Sequence, residues 1–341
     1  MNQEADNIQL ERAENLLKQE NWAQAHAVYL QIMQDEGESD QLLTKLGQTC
    51  FRQSQVEPAI DYFTRALALN SEAVEAHMGL VYCASSMGDI AQAVERCKHV
   101  LEFKPGYQPA HVMWASLLLP GAGYTEVLKH CHQKLKPKSY VEIGVESGKS
   151  LTLANPPTQC VGIDPKPQVV ETISAPHKIF ALESDIFFQQ HDLLAELGCD
   201  HVDMAFIDGM HHCENVLRDF INIEKFSQPN TVVLIHDCVP LDTITSTRER
   251  NTNFWSGDIW KVIPCLKKFR PDLGVFTIPA APTGLGLVVK LNASSTVLEE
   301  NMEEALAYLR QLEFDYLDED KSSKMSVIRN AWPSIDRLLP R

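Results

Sequence analysis

The chain has 341 residues, of which 44% are hydrophobic and 22% charged, so extended disorder, collagen-like repeats and a simple coiled coil are poor readings. Basic side chains number 30 and acidic ones 46; the net charge of −16 repels phosphate backbones and argues against a nucleic-acid partner. No apolar run approaches the roughly 20 residues that span a bilayer, and the opening stretch has neither the basic nor the apolar region of a secretory signal. The length suggests two domains in a cytoplasmic protein with no membrane partner. The nine cysteines are odd in number and none has CxxC spacing, which favours reduced, packed thiols over disulfides or structural zinc.

In the first third, Ala25, Ala59 and Ala93 stand 34 residues apart. Tyr29, Phe63 and Cys97 follow them at a fixed offset, as do Ile32, Ala66 and Val100, and Ala13, Gly47 and Val81 precede them. Each unit reads as a helical hairpin, small residues allowing close approach and larger ones filling the grooves. Turn residues fall at 19–21, 54–55 and 87–89. A last helix over 108–119 closes the stack, and Pro120-Gly121-Ala122-Gly123 breaks the chain. The expected domains are therefore 1–122 and 123–341. The period and pattern over residues 6–107 resemble the tetratricopeptide repeat. That resemblance implies a protein partner or self-association through the repeats.

After a helix at 124–135, β-branched runs recur at 140–143, 160–163, 178–182, 202–207, 231–235, 275–278 and 285–291, most of them separated by helical stretches. Alternating strands and helices predict a parallel sheet covered on both faces, with ligands beyond the carboxyl ends of the strands. The first strand continues into Glu142-Ile-Gly144-Val-Glu-Ser-Gly148-Lys-Ser150. Its two glycines permit a tight turn and close backbone approach, Glu142 can accept from a cationic amine, and Ser150 can bond near a helix start. The second strand ends at Asp164, suited to two ribose hydroxyls or to a helix cap. The third is followed by Asp185, the fourth by Asp208-Gly-Met-His211-His212, and the fifth by His236-Asp237-Cys238.

The ExGxxxGxS spacing resembles the first motif of class I S-adenosylmethionine-dependent methyltransferases, and the Asp208–His211 stretch is similar to the macrolide-sugar O-methyltransferase subgroup. The resemblance implies an α/β fold, a Rossmann-like seven-stranded methyltransferase sheet preceded by an all-α repeat domain, its last strand antiparallel. It implies S-adenosylmethionine bound by Glu142, Gly144, Gly148, Ser150, Asp164 and Asp185, with Asp185 facing the adenine amino group or capping a helix. In that subgroup three acids hold a divalent metal; here the matching set is Asp208, His236 and Asp237. The histidine departs from the pattern and widens the choice from Mg²⁺ to Mn²⁺. Asp208 and His211 are the expected catalytic pair, with His211 as base and His212 its rival.

Between the fifth and sixth strands, residues 239–272 place Trp255, Asp258 and Trp260 among polar groups. They suit an acceptor pocket for a small hydroxylated molecule, or a helix packing its aromatics onto the sheet. Residues 295–311 have an amphipathic helical period, and Trp332 with Leu338 and Leu339 predicts that the tail docks. The expected activity is methyl transfer to an oxygen of a sugar-like or secondary-metabolite acceptor. Two other functions stay open: a metal-dependent hydroxylase on the same fold, and a non-catalytic repeat adaptor with a cofactor-binding domain.

Overall fold

The computed structural model describes residues 2–340, with side chains from Ile8 onward. Met1 and Arg341, the outer ends of the two expected domains, lie outside the described residues. Two compact units divide just ahead of the Pro120–Gly123 break, one ending at Leu118 and the other beginning at Leu119.

The first unit is helical: α1 (Asn2–Lys18), α2 (Trp22–Glu36), α3 (Asp40–Arg52), α4 (Val56–Leu69), α5 (Val74–Ser86), α6 (Ile90–Phe103) and α7 (Gln108–Leu118). Caps start several of these helices. Asn21, Ser39 and Asp89 accept from the backbone N–H of Gln24, Leu42 and Gln92 at 3.4, 3.2 and 3.0 Å. The periodic Ala25, Ala59 and Ala93 are fully buried, which is why no larger side chain fits there.

Phe63 of α4 inserts where Gly47 and Gly79 leave room. A Cβ on Gly79 would lie 2.3 Å from its ring and one on Gly47 2.6 Å. Phe63 is 1% exposed and cannot swing aside. Gly79→Ala is therefore expected to destabilise the unit by about 1–3 kcal/mol, overpacking outweighing the ~1 kcal/mol that alanine gains in a helix. Urea unfolding checks this: in a Phe63→Leu background the same change should cost much less.

The second unit contains α8 (Tyr124–Leu135), β1 (Ser139–Ile143), β2 (Gln159–Ile163), β3 (His177–Phe180), α9 (Ser184–Gln190), α10 (Leu193–Leu197), β4 (Met204–Ile207), α11 (Cys213–Glu224), β5 (Val232–His236), α12 (Val262–Phe269), β6 (Gly274–Ile278), β7 (Leu285–Val289), α13 (Val297–Glu300) and α14 (Met302–Gln311). The strands form one sheet in the order β3-β2-β1-β4-β5-β7-β6. β1 to β5 run parallel, and β7 is antiparallel to both β5 and β6. This is the α/β, Rossmann-like architecture expected, with the all-α repeat region before it.

Both faces of the sheet are covered, and the strands are accordingly apolar nearly throughout. Val141, Ile143, Ala205 and Ile207 face a core that includes Phe187, Phe220 and Leu266. Tyr140, Met204 and Phe206 face one built with Val127, Leu128, Leu151, Ile335 and Leu339. The tail docks as expected: Trp332 stacks on His130 with ring centres 4.3 Å apart, and Asp336 accepts from His130 at 2.7 Å. An internal ion pair ties α11 to the end of α12, Arg270 Nη1 donating to Glu224 Oε2 at 2.5 Å, with Arg270 only 1% exposed.

Two local expectations need correction. No α-helix starts at Ser150. A 3₁₀ turn, Leu151–Leu153, stands there, and Pro156 and Pro157, which lack N–H donors, follow too soon for a helix to develop. β3 ends at Phe180 and β7 at Val289, both earlier than their apolar runs. All nine cysteines are free, and all but Cys199 are buried. Among the described residues, no helix is long and apolar enough to cross a membrane.

Candidate active site

Strand register brings the chemistry to one level. Ile143 pairs with Ile163 and Ile207, and Ile207 pairs with Ile235. The residues one step beyond, Gly144, Asp164, Asp208 and His236, therefore line up along the carboxyl edge, where ligands of such sheets bind. Gly144 N–H donates to Ile163 O and Asp208 N–H to Ile143 O, each at 2.8 Å, which locks the β1, β2 and β4 tips together.

Gly144 has φ +89°, and a Cβ there would meet the carbonyl oxygen of Asp208 at 2.0 Å. Only glycine lets the β1 loop pass that close. Gly148 (φ +82°) packs against Val169. Glu142 is fully buried, with Tyr140 OH and Ser150 Oγ donating to its two oxygens at 2.7 Å each. Burial pushes its carboxyl up to about 8, against the downward pull of the two hydroxyls. Ser150 thus serves Glu142 rather than a helix start. Asp164 accepts from Glu146 N–H at 2.8 Å and Lys166 N–H at 2.7 Å. It braces the left-handed Glu146 (φ 45°), and no helix follows that it could cap. Asp185 lies within the first turn of α9, whose N-cap is Glu183. Below it Asp219 is buried against Ser184, its carboxyl raised to about 7 by burial and by the charge of Asp185.

Asp208, His211 and Asp237 form a tight group, one ligand-capable atom from each lying within 4.8 Å of the others. His211 Nδ1 is 3.2 Å from Trp255 O and 3.1 Å from Asp237 Oδ2, and Nε2 is 3.8 Å from Asp208 Oδ1. Donation from Nδ1 to Trp255 O leaves Nε2 as an acceptor. The His211 ring stacks on Trp255 at 5.0 Å. His212 turns away, its Nε2 3.2 Å from Arg248 O. His236 Nδ1 lies 3.0 Å from Asp208 Oδ1 and 3.5 Å from Asp237 Oδ2. Burial alone would lower the His236 pKa, but the two carboxylates overcome it and hold the imidazole well above its ordinary range. Burial likewise opposes ionisation of Asp237, and the charges of His236 and His211 more than offset it, so its pKa falls.

Two observations bear on cofactor and metal. The β1 loop is a cradle that a Cβ at Gly144 would fill. Asp237 sits at φ 60°, and its Oδ2 is buried without a directed hydrogen bond. A buried carboxylate oxygen with spare capacity beside a second acid and an imidazole fits a hard divalent cation. Two histidines bring a ring nitrogen to these acids: His236, which the sequence suggested, and His211.

The insertion after β5 is corrected in part. Trp260 is 1% exposed and packs in the core, 6.3 Å from Tyr316. Asp258 is also buried; it accepts from Cys213 N–H at 2.9 Å and so caps α11. Trp260 is thus the packed aromatic of the alternative reading, and Asp258 is engaged as a cap rather than turned toward an acceptor pocket. Trp255 alone of the three borders the His211 group. Sequence reasoning missed three contributors. Gly257 (φ +59°) passes so close to His211 that a Cβ would sit 1.9 Å from its carbonyl oxygen. Thr283 Oγ1 lies 3.4 Å from His236 Nε2. Tyr124 places its ring 4.3 Å from that of His236. Only Gly257, in a Ser-Gly-Asp turn, had a readable signal.

A family model described as a methyltransferase domain matches residues 141–238, and one described as a tetratricopeptide repeat matches residues 51–113. The chain therefore carries a methyltransferase domain and tetratricopeptide repeats. Solved structures similar to it match over about a third of its length. The MamA protein is 22% identical over 33% of this chain and 61% of its own, with a TM-score of 0.31. The Arabidopsis OM64 TPR domain is 18% identical over 34% and 97%, TM-score 0.32. The second TPR domain of human RPAP3, in complex with an HSP70 peptide, is 17% identical over 33% and 98%, TM-score 0.31. This chain thus spans about three fifths of the MamA structure. Comparison with curated proteins found no match.

Proposed function

We propose that residues 123–341 form an S-adenosylmethionine-dependent methyltransferase acting on an oxygen of a small hydroxylated acceptor, sugar-like or a secondary metabolite, in the cytoplasm. Residues 1–122 form a repeat domain that binds a protein partner or a second copy. The observation that carries this reading is the grouping of Asp208, His211 and Asp237 beside the Gly144 cradle, on the same edge as Glu142 and Asp164. Bound S-adenosylmethionine supplies an activated methyl on sulfonium, so the chain's task is alignment and exclusion of water.

Glu142 and the Gly144–Gly148 turn receive the donor's amino-acid end. Asp164 receives the ribose, with Ser150 holding Glu142 and Asp185 at the adenine end. His211 takes the acceptor proton on Nε2, its ring fixed by Trp255. Asp208 and Asp237 flank that imidazole and, with His236, would hold Mg²⁺ or Mn²⁺, which would lower the acceptor hydroxyl's pKa while leaving His211 Nε2 free for the proton. With His211 kept for the proton, two carboxylates and one imidazole remain, an oxygen-rich set that supports this reading over an iron hydroxylase site with two histidines and one acid.

Asp164→Ala is expected to weaken S-adenosylmethionine binding at least about tenfold, or ~1.4 kcal/mol, in a calorimetric titration. For the chemistry, transfer of a radiolabelled methyl group to hydroxylated acceptors is the test. His211→Gln should lower kcat by about a hundredfold or more with donor affinity unchanged, and His212→Gln should not. Undiminished turnover by His211→Gln would remove the base from the account.

A further inference from the structure

Tyr124 is the first residue of α8 and precedes the matched methyltransferase segment. Its ring nevertheless lies over the site. It stands 4.3 Å from the His236 imidazole and 6.5 Å from Phe206, with Phe206 in turn 6.1 Å from His236. Phe206 is fully buried two residues before Asp208, so the wall beside the imidazole is rigid. On its other edges His236 meets Asp208 Oδ1 at 3.0 Å and Thr283 Oγ1 at 3.4 Å. With Tyr124 against its ring and Phe206 edge-on beside it, the imidazole is held in the orientation that aims Nδ1 at Asp208.

The placement of Tyr124 is itself enforced. Its N–H donates to Ala281 O at 3.0 Å. Glu126 Oε2 accepts from Gly123 N–H at 2.9 Å, which starts the helix at that point. From the tail, Asn330 Nδ2 donates to Ala122 O at 2.9 Å and to Pro279 O at 3.2 Å. Three separate segments therefore fix the backbone on either side of a side chain whose ring touches the imidazole. Nothing in the geometry of α8 alone requires an aromatic residue there. The next apolar positions of that helix, Val127 and Leu128, already fill the core beneath it.

We propose that Tyr124 is a positioning residue of the site: its ring fixes the His236 imidazole, which in turn fixes the Asp208 carboxylate opposite Asp237. It acts through His236 rather than on the acceptor, and the prediction for turnover, though not the positioning itself, rests on the methyltransferase reading above. The ring is what matters, so removing the hydroxyl alone should be tolerated. Removing the ring should free the imidazole even where the fold survives.

The test compares full-length wild type with Tyr124→Phe, Tyr124→Leu and Tyr124→Met, all isotope-labelled at histidine. The imidazole nitrogen resonances of His236 are read by NMR, with those of His201, bonded to Asp203 at 2.9 Å before the start of β4, as the internal control. Tyr124→Phe should reproduce the wild-type His236 signals. Tyr124→Leu and Tyr124→Met should shift or broaden them and leave His201 unmoved. In the same proteins, kcat for methyl transfer should fall about tenfold or more in the Leu and Met variants, with S-adenosylmethionine affinity kept within about threefold and Phe restoring the rate. Unchanged His236 signals in a folded Leu or Met variant would overturn the proposal whatever the enzyme does. Absence of donor binding by the wild type would instead count against the methyltransferase reading, and the resonances would still decide the role of Tyr124.

Discussion

Gly144→Ala is expected to cost on the order of 3 kcal/mol or more in stability and to abolish S-adenosylmethionine binding. Two penalties combine at this position. The residue adopts φ +89°, where an L side chain is strained, and the added Cβ would lie 2.0 Å from the carbonyl oxygen and 2.4 Å from the carbonyl carbon of Asp208. Those atoms are backbone and cannot rotate aside. Relief requires the β1 and β4 tips to separate, which breaks the 2.8 Å bond from Asp208 N–H to Ile143 O and displaces the Asp208 carboxylate. Gly198 is the control. It has φ +66° with nothing within 4 Å of a new Cβ, so Gly198→Ala should cost only about 1 kcal/mol. Chemical unfolding of the two variants measures the difference directly. Equal losses would mean that the close approach of the two strand tips is not what demands glycine.

Glu142 should contribute a large part of the pH dependence of stability, alongside the buried Asp219. The folded-state value of Glu142, about 8, stands above the 4.5 of an ordinary glutamate, because burial disfavours the charged form more than the Tyr140 and Ser150 hydroxyls favour it. The folded state therefore binds the proton more tightly than the unfolded chain does. The stability that this provides is fully present below about pH 4.5, falls as pH rises toward about 8, and is then gone, a change on the order of 3–5 kcal/mol for so deeply buried a group. Glu142→Gln, which keeps the shape and one acceptor, should lose this slope. Against wild type it should gain at least about 2 kcal/mol in relative stability between pH 5 and pH 8.5 in urea unfolding. Parallel curves for the two proteins would show that Glu142 is ionised in the fold. If the proposed donor site is right, binding of its cationic amine near neutral pH also expels the Glu142 proton, and the calorimetric enthalpy should then depend on the buffer.

The repeat was legible because its spacing is covalent. Ala25, Ala59 and Ala93 mark the helix crossings directly, and all three are buried there. The row Glu142, Asp164, Asp208 and Asp237 was legible for a related reason: in a parallel sheet, whatever follows each apolar run arrives at the same edge. What failed depends on partners far away in sequence. Ser150 looked like a residue at a helix start, but the prolines at 156 and 157 prevent the helix and its hydroxyl goes to Glu142. Asp258 and Trp260 looked like an acceptor pocket. Cys213 draws Asp258 inward as a cap and Tyr316 neighbours Trp260 in the core, contacts spanning dozens of residues. Tyr124 gave no signal at all, because its ring matters only once β5 brings His236 beneath it. The choice between His211 and His212 likewise rests on which side of the loop Trp255 and Arg248 occupy.

The central claim is that the β1–β2 edge of the sheet binds S-adenosylmethionine, and calorimetric titration of the wild-type chain with that compound tests it most directly. The account predicts saturable binding at a single site per chain, competed by S-adenosylhomocysteine and weakened by Asp164→Ala. Absence of any saturable heat with folded protein, with or without added Mg²⁺ or Mn²⁺, would contradict it.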